Sequence, residues 1–145
     1  MTITSDSDAL TAAAIRPRTL HEVSRRTLAN DQKFDPALRE FLDSFYSWPE
    51  ARPGAIERRP LPIDDLRDAY LAATAEHLAL SYGLDVPTWS ETHGNKLKRP
   101  FFAGGLESLK ALLFVQSPTA FRRRMLFVSK DALSRPRQAV AGPDA

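Results

Sequence analysis

Three consecutive arginines, Arg122-Arg123-Arg124, stand between Phe121 on one side and Met125-Leu126-Phe127-Val128 on the other. Each guanidinium is a planar fork of five donors that matches carboxylate and phosphate oxygens, and it stays charged at any physiological pH. Apolar residues before and after the run hold it in place, so the stretch reads as a positively charged ridge on a fixed support. Lys96, Lys98 and Arg99 extend the same charge, and Phe121, Phe127, Trp89 and Phe101 are the expected support. Such a ridge binds anions: an acidic protein surface, or the phosphates of RNA or DNA. The aromatics between the charges would stack on bases if exposed and would hold the patch if buried. A third use is internal pairing with the acidic first half of the chain.

Residues 91–98 are the other place where chemistry-bearing groups gather, with Glu91, His93, Lys96 and Lys98 close in sequence. They are the one acid–base candidate, against the plainer reading of a solvated loop. Elsewhere the usual constellations are missing. His21, His77 and His93 fall in three different segments without the i, i+3 or i, i+4 spacing of a helical metal site. His77 lies on an apolar stripe and reads as a hydrogen-bonded core histidine. There is no cysteine for a thiolate ligand, a thiol nucleophile or a disulfide. Gly94-Asn95-Lys96 and Gly104-Gly105 lack the spacing and preceding strand of a phosphate loop, and no Gly-x-Ser-x-Gly occurs. Asp64, Asp65 and Asp68 sit where a helix begins, and the helix macrodipole accounts for them. The expectation is a protein with no enzymatic activity, no metal and no cofactor.

The elements that must position the ridge read as helices. The 145 residues suffice for one domain with a single core, and 43% hydrophobic with 26% charged residues is ordinary for a globular chain. Residues 1–17 and 138–145 are small and polar and read as disordered tails, leaving 18–137 as a single helical domain. Thr19 with Glu22 three residues on forms a capping-box pattern, opening a helix to about Asn30. Asp35-Pro36 is a cap-plus-proline start, followed by the core stripe Leu38, Phe41, Leu42, Phe45 and Tyr46. Residues 49–62 hold Pro49, Pro53, Gly54, Pro60 and Pro62 and predict a stiff loop that is not helical for long. Asp64 or Asp65 opens the longest helix, running to Tyr82 with Gly83 as its left-handed stop. Two apolar stripes on it, Leu66-Ala69-Tyr70-Ala73-His77-Leu80 and Leu71-Ala75-Leu78-Tyr82, place it at the centre of a bundle. Gly104-Gly105 opens a further helix with Leu106, Leu109, Leu112 and Leu113 inward. Ser117-Pro118 starts the helix bearing the arginines, with Leu126-Phe127-Val128 either an extended buried segment or its continuation. Ser129 caps a last turn. The fold class is therefore all-α: a single compact bundle of about five helices with long proline-rich connecting loops.

Charge is divided along the chain. Residues 1–95 carry ten basic and fifteen acidic side chains, while residues 96–137 carry ten basic and two acidic. An acidic half and a basic half suggest an anionic partner, or one half folding onto the other. No leader-like segment and no apolar run near the roughly 20 residues of a bilayer span are present, so a cytoplasmic location and no membrane are expected.

Three stretches together resemble a known family. These are Asp35-Pro36-Ala37-Leu38-Arg39-Glu40-Phe41-Leu42-Asp43-Ser44-Phe45-Tyr46, Asp68-Ala69-Tyr70-Leu71-Ala72-Ala73-Thr74-Ala75-Glu76-His77-Leu78, and Ser117-Pro118-x-x-Phe121-Arg122-Arg123-Arg124-x-x-Phe127-Val128-Ser129-x-x-Ala132-Leu133-Ser134-Arg135. Over about residues 19–135 the chain is similar to a family of small, largely uncharacterised bacterial all-α proteins. That family's third segment usually reads Arg-Arg-Asn, whereas here Met125 follows Arg124. Its members are often encoded beside nucleotidyltransferase-like or helix-turn-helix proteins in toxin–antitoxin-type pairs. The resemblance implies an accessory or antitoxin-like role, with a toxin or nucleotidyltransferase-like protein as partner. It brings no catalytic residue with it. The leading expectation is thus a protein that binds a partner protein through Arg122, Arg123 and Arg124. A nucleic-acid-binding module using the same patch is the alternative.

Overall fold

A computed structural model describes residues 15–93 and 97–136. Most of the two expected tails, and Lys96, lie outside the described residues. The described chain is mostly helical, and none of its helices is long and apolar enough to cross a membrane. Among these residues there are six helices: α1 (Leu20–Leu28), α2 (Phe34–Ser47), α3 (Arg52–Glu57), α4 (Asp65–Tyr82), α5 (Lys110–Gln116) and α6 (Thr119–Arg122). Two short strands, β1 (Phe101–Phe102) and β2 (Leu126–Phe127), pair in parallel.

The first two-thirds follows local sequence rules closely. The Thr19 hydroxyl accepts the Glu22 amide at 3.0 Å and caps α1, while the Glu22 carboxylate turns to Arg25 and Arg26 and leaves the box half made. Residues 15–17 belong to the fold, since the Ile15 carbonyl accepts from Arg26 and Pro17 is buried. α2 begins one residue before Asp35, after Lys33 and with no side-chain cap, so Asp35 serves the helix dipole and is not the cap. Its stripe of Phe34, Leu38, Phe41, Leu42 and Phe45 is buried. The 49–62 segment departs from the expected loop: a 3-10 turn over Pro49–Ala51 runs into α3. Pro49 and Pro53 stand at the first positions of these helices, where a missing amide donor costs nothing. Ile56 of α3 is fully buried against the core.

α4 is the axis. Asp64 caps it by accepting the Arg67 amide at 2.8 Å, and Gly83 ends it at φ 67° with its amide on the Ala79 carbonyl. Every residue from Leu71 to Glu76 is buried, which is what two apolar stripes require of a helix covered on both sides. The stripes stop short of its end, because Leu80 and Tyr82 are exposed.

The last third departs most from expectation. Gly104 and Gly105 take left-handed conformations and make a turn; a 3-10 turn over Glu107–Leu109 precedes α5. Of the four leucines expected inward only Leu113 is buried. α6 is a single turn, and Ser117 does not cap it: the Ser117 hydroxyl bonds Val128 in both directions instead, accepting its amide at 2.6 Å and donating to its carbonyl at 2.9 Å. Met125 at φ 66° reverses the chain, so it does not share a helix face with Phe121, and Leu126-Phe127 runs extended as β2. After Ser129 the chain makes turns and no helix. Arg135 on Asp43 at 3.0 Å and the Tyr46 hydroxyl on the Leu133 carbonyl at 2.8 Å tie this end to α2.

Candidate functional site

The three arginines do not form one exposed ridge. Arg122 is exposed at the end of α6 and makes no ion pair among the described residues. Arg124 points inward and is 2% exposed. Its Nη1 donates to the Glu76 carboxylate at 2.6 Å and to the Ala120 carbonyl at 2.7 Å, and its Nη2 donates to the Ser90 carbonyl at 2.8 Å. Arg123 lies between the two situations: its Nε is 3.1 Å from the same Glu76 oxygen and its Nη2 donates to Glu91 at 3.0 Å. Two cations and two carboxylates thus form a neutral network joining α4, the 3-10 turn Thr88–Glu91 and the turn after α6. A buried carboxylate needs such partners, because its desolvation is otherwise uncompensated.

Sequence reasoning missed Glu76, though a signal existed. It is the sole carboxylate between Ala69 and Leu84, on a helix whose two apolar stripes leave it no solvated face. The supporting aromatics are placed as expected in part. Phe121 is fully buried against Tyr70 at a 5.1 Å ring separation, and the Trp89 indole donates to the Ile56 carbonyl at 3.0 Å. Phe101 is half-buried on β1, its amide donating to the Met125 carbonyl at 2.9 Å.

The acid–base candidates separate. Glu91 is exposed and bound to Arg123, while His93 is buried under Trp89 at 5.5 Å. His93 Nε2 lies 3.4 Å from the Asp68 carboxylate, but the geometry does not make a hydrogen bond. Burial lowers the His93 pKa, Asp68 opposes that shift and Arg59 adds to it. His77 is half-buried against Phe121, and burial lowers its pKa as well. Among the described residues no three His, Asp or Glu side chains come close enough to hold a metal ion.

A different surface emerges around β2. The Phe127 ring is stacked between Phe102 at 4.8 Å and Phe114 at 5.0 Å, a three-ring column that seats α5 on the strands. With α5 fixed this way, Leu106, Leu109, Leu112, Phe114 and Val115 are left facing solvent, Val115 at 72% exposure. Glu107 is the one acidic residue on this segment, and Lys110 holds it at 3.2 Å. Lys98 and Arg99 precede β1 and Arg122 precedes β2; all three are exposed and make no ion pair among the described residues. The candidate site is therefore this exposed apolar segment, with three exposed cations that stand next to the two strands in sequence. Nothing in the sequence pattern separated this face from a core stripe, because leucines at 106, 109, 112 and 113 suit either.

No protein-family model matches the chain, and neither a curated protein nor a solved structure is similar to it.

Proposed function

We propose that this is a non-enzymatic binding protein that captures a partner protein, in the accessory or antitoxin-like manner that the motif resemblance implies. The partner presents an amphipathic segment whose apolar side covers Leu106, Leu109, Leu112, Phe114 and Val115, and whose acidic edge meets Lys98, Arg99 and Arg122. One observation carries this reading: five large apolar side chains lie exposed on one short segment. Exposed apolar side chains concentrated in this way mark interaction sites on proteins that otherwise cover their cores. The exposed cations Lys98, Arg99 and Arg122 argue for carboxylates on the partner and favour fast, steered association. Arg124 has a structural part in this scheme, holding the strand that Phe127 occupies, while Arg122 is the arginine placed for contact.

The nucleic-acid alternative draws on the same cations together with the half-exposed Phe114 ring, a surface on which a base can stack. A pull-down from a native bacterial lysate, with and without nuclease, separates the two. Retention of one stoichiometric protein after nuclease, lost with Leu112→Glu/Val115→Glu and weakened by Arg122→Glu, is the expected result. A protein still captured by Leu112→Glu/Val115→Glu would remove this face from the assignment. Recovery of RNA or DNA, with protein partners lost on nuclease treatment, would move the assignment to nucleic acid.

A further inference from the structure

We draw no further inference here: the strongest candidate, the hollow of about 510 Å³ between α3, the end of α4 and the Thr88–Glu91 turn, is lined by apolar side chains and the exposed Glu57, Asp85 and Thr88, and nothing in the structure shows what covers it.

Discussion

Arg124 shows how a residue read as a ligand hook can belong to the interior. Its guanidinium satisfies one carboxylate and two carbonyls that would otherwise be buried without donors. Replacing it with methionine keeps the volume and strands all three, with Arg123 left to hold Glu76 in part. The cost expected for breaking a buried pair on one side is about 3 kcal/mol or more, read from urea unfolding. The double replacement Glu76→Met/Arg124→Met removes both charges and should be more stable than Arg124→Met alone; a double variant that is worse would mean the carbonyls, and not the charge, set the cost. Protonation acts on the same scale. Burial lowers the pKa of His21, His77 and His93 below the ordinary 6.5. Between 6.5 and those lower values the unfolded chain binds protons that the folded chain refuses, so stability is complete above 6.5 and falls as the pH drops through this window. Glu22 adds a second loss: hydrogen bonds from Arg25 and Arg26 hold its carboxyl near about 2, so its contribution, intact above 4.5, disappears as the pH falls from there toward 2. Urea midpoints should therefore decline in two stages on acidification. His93→Gln should flatten the upper one, and an unchanged slope in that variant would exclude His93 as a contributor.

Among the elements, legibility followed how local the determining physics is. Thr19, Asp64 and Gly83 were readable because a cap or a left-handed stop is settled within four residues. The α2 and α4 stripes were readable because burial repeats with the helical period. α3 was missed because Pro49 and Pro53 look like breakers unless each falls in a first turn, and that depends on where the chain re-enters the core through Ile56. The exposed α5 face was missed because a leucine stripe states that something covers it and not what. Met125 was missed because a non-glycine residue at φ 66° is imposed from outside: its own carbonyl accepts from Phe101 and the Ser117 hydroxyl pins Val128. A β-branched side chain tolerates that conformation least. Met125→Val should lose about 1–2 kcal/mol in thermal or urea unfolding and loosen the β1–β2 pairing, seen as faster amide exchange at Phe101 and Ala103. Equal stability with unchanged exchange would mean the reversal is set by the Ser117 clasp alone.

For the whole molecule, the division of charge along the chain has a structural use. The acidic residues 1–95 supply Glu76, Glu91 and Asp43, and the basic residues 96–137 supply Arg123, Arg124 and Arg135. The same boundary is crossed by the core, since Phe121, Leu126, Val128 and Leu133 pack with residues of α1, α2 and α4. Neither half is complete: without the second, Glu76 is buried or exposed with no cation, and the face of Tyr70 that meets Phe121 is bare. A fragment of residues 1–95 should therefore lack a cooperative unfolding transition, and a fragment of residues 96–145 should show little helix. Mixed, the two should reassemble into a complex with the circular dichroism of the intact chain. Because part of the attraction is Coulombic and part is apolar burial, reassembly should weaken with salt without being abolished by it. Arg124→Met in the second fragment should weaken reassembly far more than Arg122→Ala, whose side chain faces solvent. If the first fragment folds cooperatively alone, or if the two substitutions weaken reassembly equally, the arginine run is not what closes one half of the molecule on the other.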